Sequence, residues 1–523
     1  MAVIGSGVMP VRPTARRSVS VAELAACAGV LFSGAADRMV SGVALRTRDV
    51  QPGDLYVTPP RPSTQDTDLV KVALAAGAVA VLTDTPSMAH AAMQVAAVPV
   101  LKHPRLGEVL GQIAARVYGD PTAELVVLGV TGTSGKTTTS YLIEAGLRAA
   151  GLTTGLVGTL GARVAGQPLA EQRLTGGPAT TPDAPDLQAL FAVMLERGVS
   201  HATMEVTSHA LVRGRVDGTR FDVGAFTNLS HDHLDFHTDM EDYFAAKARL
   251  FDGRCSIEVV NVDDPWGARL VHPDTVTVSL TKPAATWHAS VITTHSDGGQ
   301  SFTAYGPDGA GATVRIALSG QFNAANALLA LACLHAAGVS PQQAAAGLST
   351  TTVPGRTERV DAGQPFLAMV DYAHKPAAVA ALLDALRAQL AGSRSAGRLL
   401  VVLGCGGERD TVKRPLMGQA AAARAELLVV TDDNPRTEDP AQIRAAMLAG
   451  ARQLPATQRG EVLEIGDRRA AIAEVVARAA PHDVVVIAGK GHETSQLVGT
   501  VRHPFSDADE LAAAIRAAAT LRR

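Results

Sequence analysis

A chain of 523 residues holds 47 basic and 50 acidic side chains, 47% hydrophobic residues and 4% aromatics, for a formal net charge of −3. Such a length suits about three domains, each able to bury its own core. The near balance of charge leaves no tail for nucleic acid or a membrane surface, and so few aromatics argue against base-stacking platforms.

The four cysteines, Cys27, Cys255, Cys333 and Cys405, lie far apart without a C-x-x-C pair, so they are read as reduced thiols in the cytoplasm. Near the start, Arg16-Arg17 ahead of the run 19–32 imitates a signal peptide. Glu23 interrupts that run and charged sequence resumes at Asp37 without a convincing cleavage site, so an amphipathic helix is predicted over 19–32. No stretch approaches the roughly 18 uncharged apolar residues of a membrane span. Residues 1–123 read as a small α/β unit, with strands over 54–58, 78–83 and 98–101 and a helix over 68–76. Pro59, Pro60 and Pro62 turn the first strand's exit into a loop, and the cluster Gly119-Asp-Pro-Thr122 marks a linker.

From 124 to 353, short apolar strands (126–130, 202–206, 223–228, 258–261) alternate with helices, the pattern of a parallel sheet covered by helices. The first strand runs into Gly129-Val-Thr-Gly-Thr-Ser-Gly-Lys-Thr-Thr-Thr139. A helix from 137 to about 150 follows, with Tyr141, Leu142, Ala145 and Leu147 on one face. Strand, glycine loop and helix N-terminus together make a phosphate cradle. Backbone N–H groups from Gly132 through Thr133, Ser134 and Gly135 to Lys136 can converge on phosphate oxygens. Lys136 reaches for the outer phosphates, the Thr137 hydroxyl suits Mg²⁺, and Thr138 completes the motif. The pattern G-x-x-x-x-G-K-S/T fails at its first glycine, where Val130 stands, so this is a variant P-loop. An ordinary Gly-rich turn is the competing reading.

Glu205 closes a strand beside the P-loop strand, a position suited to Mg²⁺ ligation. Three histidines and two aspartates then crowd Asn228-Leu-Ser-His-Asp-His-Leu-Asp-Phe-His237, either for metal or phosphate work or as a polar turn whose His–Asp pairs satisfy one another. Lys247 lies on a helical stretch over 240–251. Residues 286–318 show β-type alternation broken by glycine turns, including Ser296-Asp-Gly-Gly299, and predict a short antiparallel patch before an alanine-rich helix over 324–337.

From 354 to 523 the α/β rhythm repeats, with strands over 368–371, 399–404, 427–431 and 484–488. The last three end in Gly404-Cys-Gly-Gly-Glu-Arg409, Asp432-Asp-Asn-Pro-Arg436 and Gly489-Lys-Gly-His-Glu493. Ligands of open parallel sheets bind outside the carboxyl ends of the strands, so these clusters predict a second site.

These motifs together resemble a known family. T-G-T-S-G-K-T-T, E-V-T-S-H-A-L, N-L-S-H-D-H-L-D, the following A-A-K, G-Q-F-N-A-A-N-A, G-R-T-E-R-V and V-D-Y-A-H-K-P are similar to motifs of the Mur ligases of peptidoglycan synthesis. G-C-G-G-E-R-D, K-R-P-L-M-G, D-D-N-P-R and G-K-G-H-E narrow the resemblance to the type that adds the third peptide residue, and the match runs in order over about residues 124–510. It implies an α/β fold of three domains: a small N-terminal α/β domain (1–123) for the UDP-linked substrate, a central P-loop ATPase-like parallel sheet (124–353) for ATP, and a C-terminal Rossmann-like sheet (354–523) for the amino acid. It further implies an ATP-dependent amide ligase joining meso-2,6-diaminopimelate to the D-Glu carboxylate of UDP-N-acetylmuramoyl-L-Ala-D-Glu through an acyl phosphate. Mg²⁺ and a carbamate on Lys247 would assist, the partners would be these small molecules rather than nucleic acid or membrane, and the chain would act as a monomer. A lysine-adding member, a folylpolyglutamate-type ligase and an ATP-driven motor are the competing functions.

By the same resemblance, Lys136, Lys247 and His233 are catalytic, and Thr137, Glu205, His233 and Lys247 hold the metal. Asn326, Arg356 and Asp371 join the P-loop residues in binding ATP; Thr47, Thr180, Thr181, Thr207, Arg213 and Arg215 contact the UDP-muramoyl peptide. Asn326 alone would pass for a helix-surface amide, and Thr180 and Thr181 for helix caps ahead of Pro182. Diaminopimelate falls to Arg409, Asp433, Asn434, Pro435, Arg436, Gly489 and Glu493. Diaminopimelate differs from lysine by a second carboxylate, which a guanidinium fork at Arg436 can bind through two parallel hydrogen bonds; the competing role for Arg436 is a surface pair with Glu438 or Asp439. The chain departs from the family at His231, where Arg is usual, at Arg213, where some members have Gln, at Thr411-Val412 in place of Lys-Gly, and at Thr47 in place of Ser. The Gly-rich loop expected after Tyr56 is replaced by Pro59–Asp66.

Overall fold

The computed structural model describes residues 11–59, 67–86, 88–89, 98–169, 179–295, 297–392 and 396–521. Most of the replacement loop after Pro59, with Pro60 and Pro62, and Ser296 of the predicted turn lie outside the described residues.

Three sheets with parallel cores carry the chain. The first runs Leu31–Ser33, Val100–Lys102, Ala80–Thr83, Asp54–Val57, Gly42–Ala44, parallel except for its first strand. The helix predicted over 19–32 is shorter, spanning Val21–Ala28. Ser20 caps its start by accepting from the Glu23 amide at 3.2 Å, and Gly29, at φ 63°, ends it. The apolar remainder leaves as the edge strand Leu31–Ser33, so a local stop signal overrides the continuous apolar pattern.

The central sheet has seven adjacent parallel strands: Thr154–Gly158, His201–Glu205, Val126–Thr131, Phe221–Phe226, Cys255–Asn261, Val276–Ser279 and Trp287–Ala289. Two of these, Thr154–Gly158 and Val276–Ser279, were not among the predicted strands. The segment over 286–318 is antiparallel where expected, through Gln300–Tyr305 and Gly311–Ile316. It is not a separate patch, because Trp287–Ala289 pairs parallel to Val276–Ser279 and so extends the central sheet. Val130, at the missing-glycine position, is a fully buried strand residue, since the strand continues to Thr131 before the loop begins. Helices Lys136–Ala149, Gln321–Ala336 and Pro341–Ser349 pack together over this sheet around Leu142, Leu147, Leu328, Leu331 and Leu348. Small residues bring them close: a Cβ on Gly347 would stand 2.3 Å from the Ala145 carbonyl oxygen.

The third sheet runs Glu358–Arg359, Leu367–Asp371, Val484–Ala488, Leu399–Cys405, Leu427–Asp432, Glu461–Glu464, parallel except for its first strand. Its valine- and leucine-rich strands are buried on both faces by helices, as parallel sheets require. The order sets the carboxyl ends of Leu367–Asp371, Val484–Ala488, Leu399–Cys405 and Leu427–Asp432 side by side, which gathers the three polar clusters at one edge. No described helix is long and apolar enough to cross a membrane, and none of the four cysteines is paired.

Candidate active site

The phosphate loop turns on two glycines. Gly132 has φ 142° and Gly135 φ 88°, and a Cβ would stand 1.8 Å from Thr227 Oγ1 at the first and 2.4 Å from Asn326 Oδ1 at the second. The loop amides do not all point inward. Thr133 donates to the Asn228 carbonyl at 2.8 Å and Ser134 to Asn228 Oδ1 at 3.1 Å, while Asn228 Nδ2 donates back to the Ser134 carbonyl at 3.0 Å. Asn228 therefore clamps the loop, and the phosphate-facing donors are left to Gly135 and the first turn of the helix, whose N–H groups lack intrahelical partners.

Three ammonium groups converge on two consecutive loop carbonyls. Lys136 Nζ donates to Gly132 O at 2.8 Å and Thr133 O at 3.1 Å; Lys247 Nζ donates to Gly132 O at 2.8 Å; Lys375 Nζ, from the third sheet's side, lies 3.3 Å from Thr133 O. Burial, then repulsion by Lys375, pulls the Lys136 pKa down to about 8. Lys247 is 1% exposed and its Nζ sits 4.7 Å from the Tyr243 ring centroid. Burial, reinforced by Lys136 and Lys375, holds its pKa well below that of an ordinary lysine.

Glu205, at the end of its strand, accepts from Thr137 Oγ1 at 3.0 Å, from the Thr159 amide at 2.8 Å and from Thr159 Oγ1 at 3.1 Å. A Cβ on Gly158 would stand 2.4 Å from Glu205 Oε1, so glycine there leaves the carboxylate its place. Around it lie Thr180, 3.1 Å from the Thr159 hydroxyl, and Thr181, donating to the Glu205 carbonyl at 2.8 Å. Thr207 caps the helix Ser208–Val212, and Arg215 donates to Thr181 O at 3.1 Å while pairing with Asp183 at 2.9 Å. Arg213 stands apart, exposed and 5.3 Å over the Phe236 ring. Thr47 sits in the turn Thr47–Asp49 of the first unit, and no hydrogen bond among the described residues joins it to this arc.

The His/Asp cluster divides in two. His237 is a structural pin, bonded to Ser208 Oγ at 3.0 Å and to Asp242 at 3.2 Å, as the polar-turn reading holds. His233, at φ 55°, faces Asp232 at 3.1 Å and packs edge-on against His209 at 4.8 Å. Burial pulls its pKa down to about 3 against the attraction of Asp232, leaving a neutral imidazole with a lone pair for a metal. Burial acts on Asp232 the other way, but the Lys375 ammonium at 2.6 Å outweighs it and holds the acid ionised. Among the described residues no three His, Cys, Asp or Glu side chains converge as a metal site on their own. The adjoining Thr137 hydroxyl and Glu205 carboxylate are hard oxygen donors that suit Mg²⁺, with further oxygens to come from phosphates or water.

Arg356 crosses from the third sheet: its Nη2 lies 3.5 Å from Thr137 Oγ1 and its guanidinium 4.2 Å from the Tyr372 ring centroid. Asp371 accepts from the Thr357 amide at 2.7 Å and the Ala373 amide at 2.7 Å, fixing the segment that carries Arg356. Asn326, buried behind the loop, bonds Asn323 at 3.2 Å.

At the third sheet's edge, Asn434 Nδ2 donates to Glu493 Oε2 at 2.7 Å, and the fully buried Lys490 bridges Asn434 Oδ1 at 3.1 Å and Glu493 Oε2 at 2.8 Å. Asp433 is buried beside Gly489, where a Cβ would stand 2.9 Å from its Oδ2. Pro435 precedes Arg436, whose backbone adopts φ 54° and bonds Leu497 and Gly499 of the final hairpin. The Arg436 guanidinium donates to the Gly407 carbonyl and makes no ion pair among the described residues. Its two proposed surface partners are otherwise engaged: Glu438 pairs with Arg414 at 2.9 Å, and Asp439 caps the helix Pro440–Arg452. Arg409 is exposed on the neighbouring loop.

Lys375, Asn228, Thr159 and Lys490 were not singled out from sequence. Asn228, Lys375 and Lys490 lie inside the family-like motifs, but nothing in their spacing says which residue turns toward a neighbouring loop or sheet. Thr159 follows a strand that two glycines disguised.

A family model described as the Mur ligase middle domain matches residues 130–334, and one described as the Mur ligase glutamate ligase domain matches residues 355–491. A UDP-N-acetylmuramoyl-L-alanyl-D-glutamate–2,6-diaminopimelate ligase of Streptomyces avermitilis is 48% identical over 504 residues, covering 95% of this chain and 96% of its own length. The protein of the same name from Corynebacterium efficiens is 50% identical over 450 residues, 84% of each chain. A solved structure of a protein of that name superposes with a TM-score of 0.67 at 33% identity, covering 96% of this chain and 99% of the other.

Proposed function

This chain belongs to the Mur ligase family, and on that premise we propose that it joins meso-2,6-diaminopimelate to the D-Glu carboxylate of UDP-N-acetylmuramoyl-L-Ala-D-Glu, with ATP as co-substrate, in the cytoplasm. The units 1–123, 124–353 and 354–523 would take the UDP-linked substrate, ATP and the amino acid, in that order. The acceptor carboxylate attacks the γ-phosphorus, ADP leaves, and an acyl phosphate remains. The diaminopimelate amine then displaces inorganic phosphate, losing one proton as the amide forms.

Transfer of phosphoryl between anions calls for placed cations more than for a protein nucleophile. Lys136 and Arg356 supply them from opposite sides of the cleft. Thr137, Glu205, His233 and a carbamate on Lys247 would hold Mg²⁺, which adds positive charge at the phosphates. Carbamate formation needs a neutral amine, and burial beside Lys136 and Lys375 favours that form of Lys247. The product –NH–COO⁻ keeps one N–H, enough to preserve the bond to Gly132. Thr180, Thr181, Thr207 and Arg215 lie where the muramoyl peptide would bring its carboxylate toward Thr137.

At the other end, Arg436 has a fork free of acid partners for the second carboxylate of diaminopimelate, with Arg409 on the loop beside it. Glu493, steadied by Lys490 and Asn434, can accept from the distal ammonium near Gly489. The observation that carries this reading is Arg356 standing 3.5 Å from Thr137, because it opens the phosphate loop and the third sheet's edge onto one cleft. A folylpolyglutamate-type ligase has no use for the D-D-N-P-R and G-K-G-H-E edge, and a lysine-adding enzyme would leave Arg436 unmatched. Purified protein given ATP, Mg²⁺, diaminopimelate and UDP-muramoyl-dipeptide should yield the amide by mass spectrometry. ATP turnover that ignores both acceptors would overturn the reading in favour of a motor.

A further inference from the structure

Among the described residues, three polar contacts join the unit of the central sheet to that of the third sheet at the phosphate loop. They are Arg356 with Thr137 at 3.5 Å, Lys375 with the Thr133 carbonyl at 3.3 Å, and Lys375 with Asp232 at 2.6 Å. The ion pair is the shortest of them, and its side chains are only 12% and 16% exposed. We propose that the Lys375–Asp232 pair is a latch that positions the third unit on the phosphate loop, so that Arg356 and the amino-acid edge meet the nucleotide only while the pair is closed.

Both partners are held stiffly. Lys375 ends the short turn after Leu367–Asp371 and precedes Pro376, the first residue of the helix Pro376–Gly392. Its carbonyl accepts from Val379 at 2.9 Å. The preceding His374 is fixed by its ring bond to Tyr372 O at 2.7 Å and by Lys413 donating to its carbonyl at 3.1 Å. Asp232 is braced by His233 at 3.1 Å. Lys375 stands four residues after Asp371, which anchors the Arg356 segment, so a shift of the latch must move Arg356 as well.

The charges argue the same way. Without Lys375, Asp232 becomes a largely buried acid with a neutral imidazole as its companion. Without Asp232, Lys375 is left without its acid, facing the Lys136 ammonium across the loop carbonyls. A buried pair that loses one member is strongly destabilising locally, because the surviving charge stays uncompensated. Either loss should therefore separate the units at this point, and losing both should cost no more than losing Asp232 alone, as interacting residues are non-additive.

The latch rests on the amide-forming reading for its kinetic test, and an independent measurement keeps the two apart. Lys375→Gln should lower kcat for amide formation by about tenfold or more, raise KM for diaminopimelate, and leave calorimetric binding of a non-hydrolysable ATP analogue within about threefold. Lys375→Arg, which can keep the pair, should recover most of the rate, and the double variant with Asp232→Asn should be no slower than Asp232→Asn alone. Small-angle scattering should show a larger radius of gyration for Lys375→Gln at an unchanged Tm. A folded Lys375→Gln with wild-type kcat and wild-type scattering, or fully additive losses in the double variant, overturns the latch while leaving the ligase reading intact. Should Lys375→Gln fail to fold, Asp232→Asn bears the same scattering and kinetic test. If the wild type makes no amide, the ligase reading fails and the scattering comparison still decides the latch.

Discussion

At the loop proposed to hold phosphate, three lysines crowd two carbonyl oxygens; at the edge proposed to hold the amino acid, one arginine fork has a carbonyl and, among the described residues, no acid. On the proposed reading the first region recognises by gathered cations. Lys136, Lys247 and Lys375 lie together, but Lys375 is paired with Asp232 and burial holds Lys247 toward its neutral form, so the attraction left for a polyanion falls on Lys136 and on Arg356 beside Thr137. The second would recognise by placement: Lys490 and Asn434 steady Glu493, and the directional attraction for a second carboxylate is the Arg436 fork. Such a division suits a reaction in which every substrate for activation carries phosphate or carboxylate, whereas the amino acid must be told apart from a near twin.

If the comparison is right, the largest loss comes from thinning the crowded end. Lys136→Ala removes the cation that meets the migrating phosphoryl group and should cut turnover by about 10²-fold or more. Product formation at the wild-type rate would remove the phosphate loop from the chemistry. Lys247→Ala should follow at about 10²-fold, with partial rescue by added formate or acetate, since a small carboxylate can stand in for the carbamate. Wild-type protein stripped of CO₂ should lose activity reversibly. Full activity of Lys247→Ala in CO₂-free buffer would reduce this lysine to a structural role.

The sparse end should respond in specificity rather than in overall chemistry. Arg436→Ala should lower kcat/KM for diaminopimelate by about 30-fold, the lower bound for losing one partner of a desolvated charge pair, while ATP-analogue binding persists. Equal use of lysine and diaminopimelate by the unmutated protein would show that Arg436 reads nothing.

The two ends were unequally legible in the sequence. The phosphate loop is local: strand, glycines, Lys136 and Thr137 follow one another, so the backbone alone brings them together. At the amino-acid end the clusters were visible but not their wiring. Whether Arg436 paired with Glu438 depended on Arg414 and on the cap at Asp439, neither of which local sequence ranks. Cross-sheet residues were hardest. Lys375 gains its meaning from how two sheets dock, and the strand Thr154–Gly158 was hidden because Gly155 and Gly158 weaken its β signal. Packing nonetheless favours both glycines: a Cβ at Gly158 would stand 2.4 Å from the hydrogen-bonded Glu205 Oε1, and one at Gly155 would push aside Met194, 2.5 Å from its Sδ.

The smallest expected effect is also the one that separates the ends by titration. On the proposed reading Lys136 works as an ammonium, and in the free protein burial and Lys375 bring its pKa to about 8. Raising the pH through that value removes its proton, so kcat/KM for ATP, which reports the free enzyme, should fall by up to about tenfold per unit above it. Bound phosphates favour the charged form, which moves the fall in kcat to higher pH than the fall in kcat/KM. Lys247 sets the opposite limb: carbamate forms only from its neutral amine, so lowering the pH should discharge it. His233, with a pKa near 3, stays neutral over this range and does not shape the profile. Lys136→Arg should therefore be slower yet lose the alkaline fall in kcat/KM for ATP, while Arg436→Ala should keep it. A kcat/KM for ATP that stays level to pH 10 in the wild type would mean that Lys136 is not the depressed cation of this site.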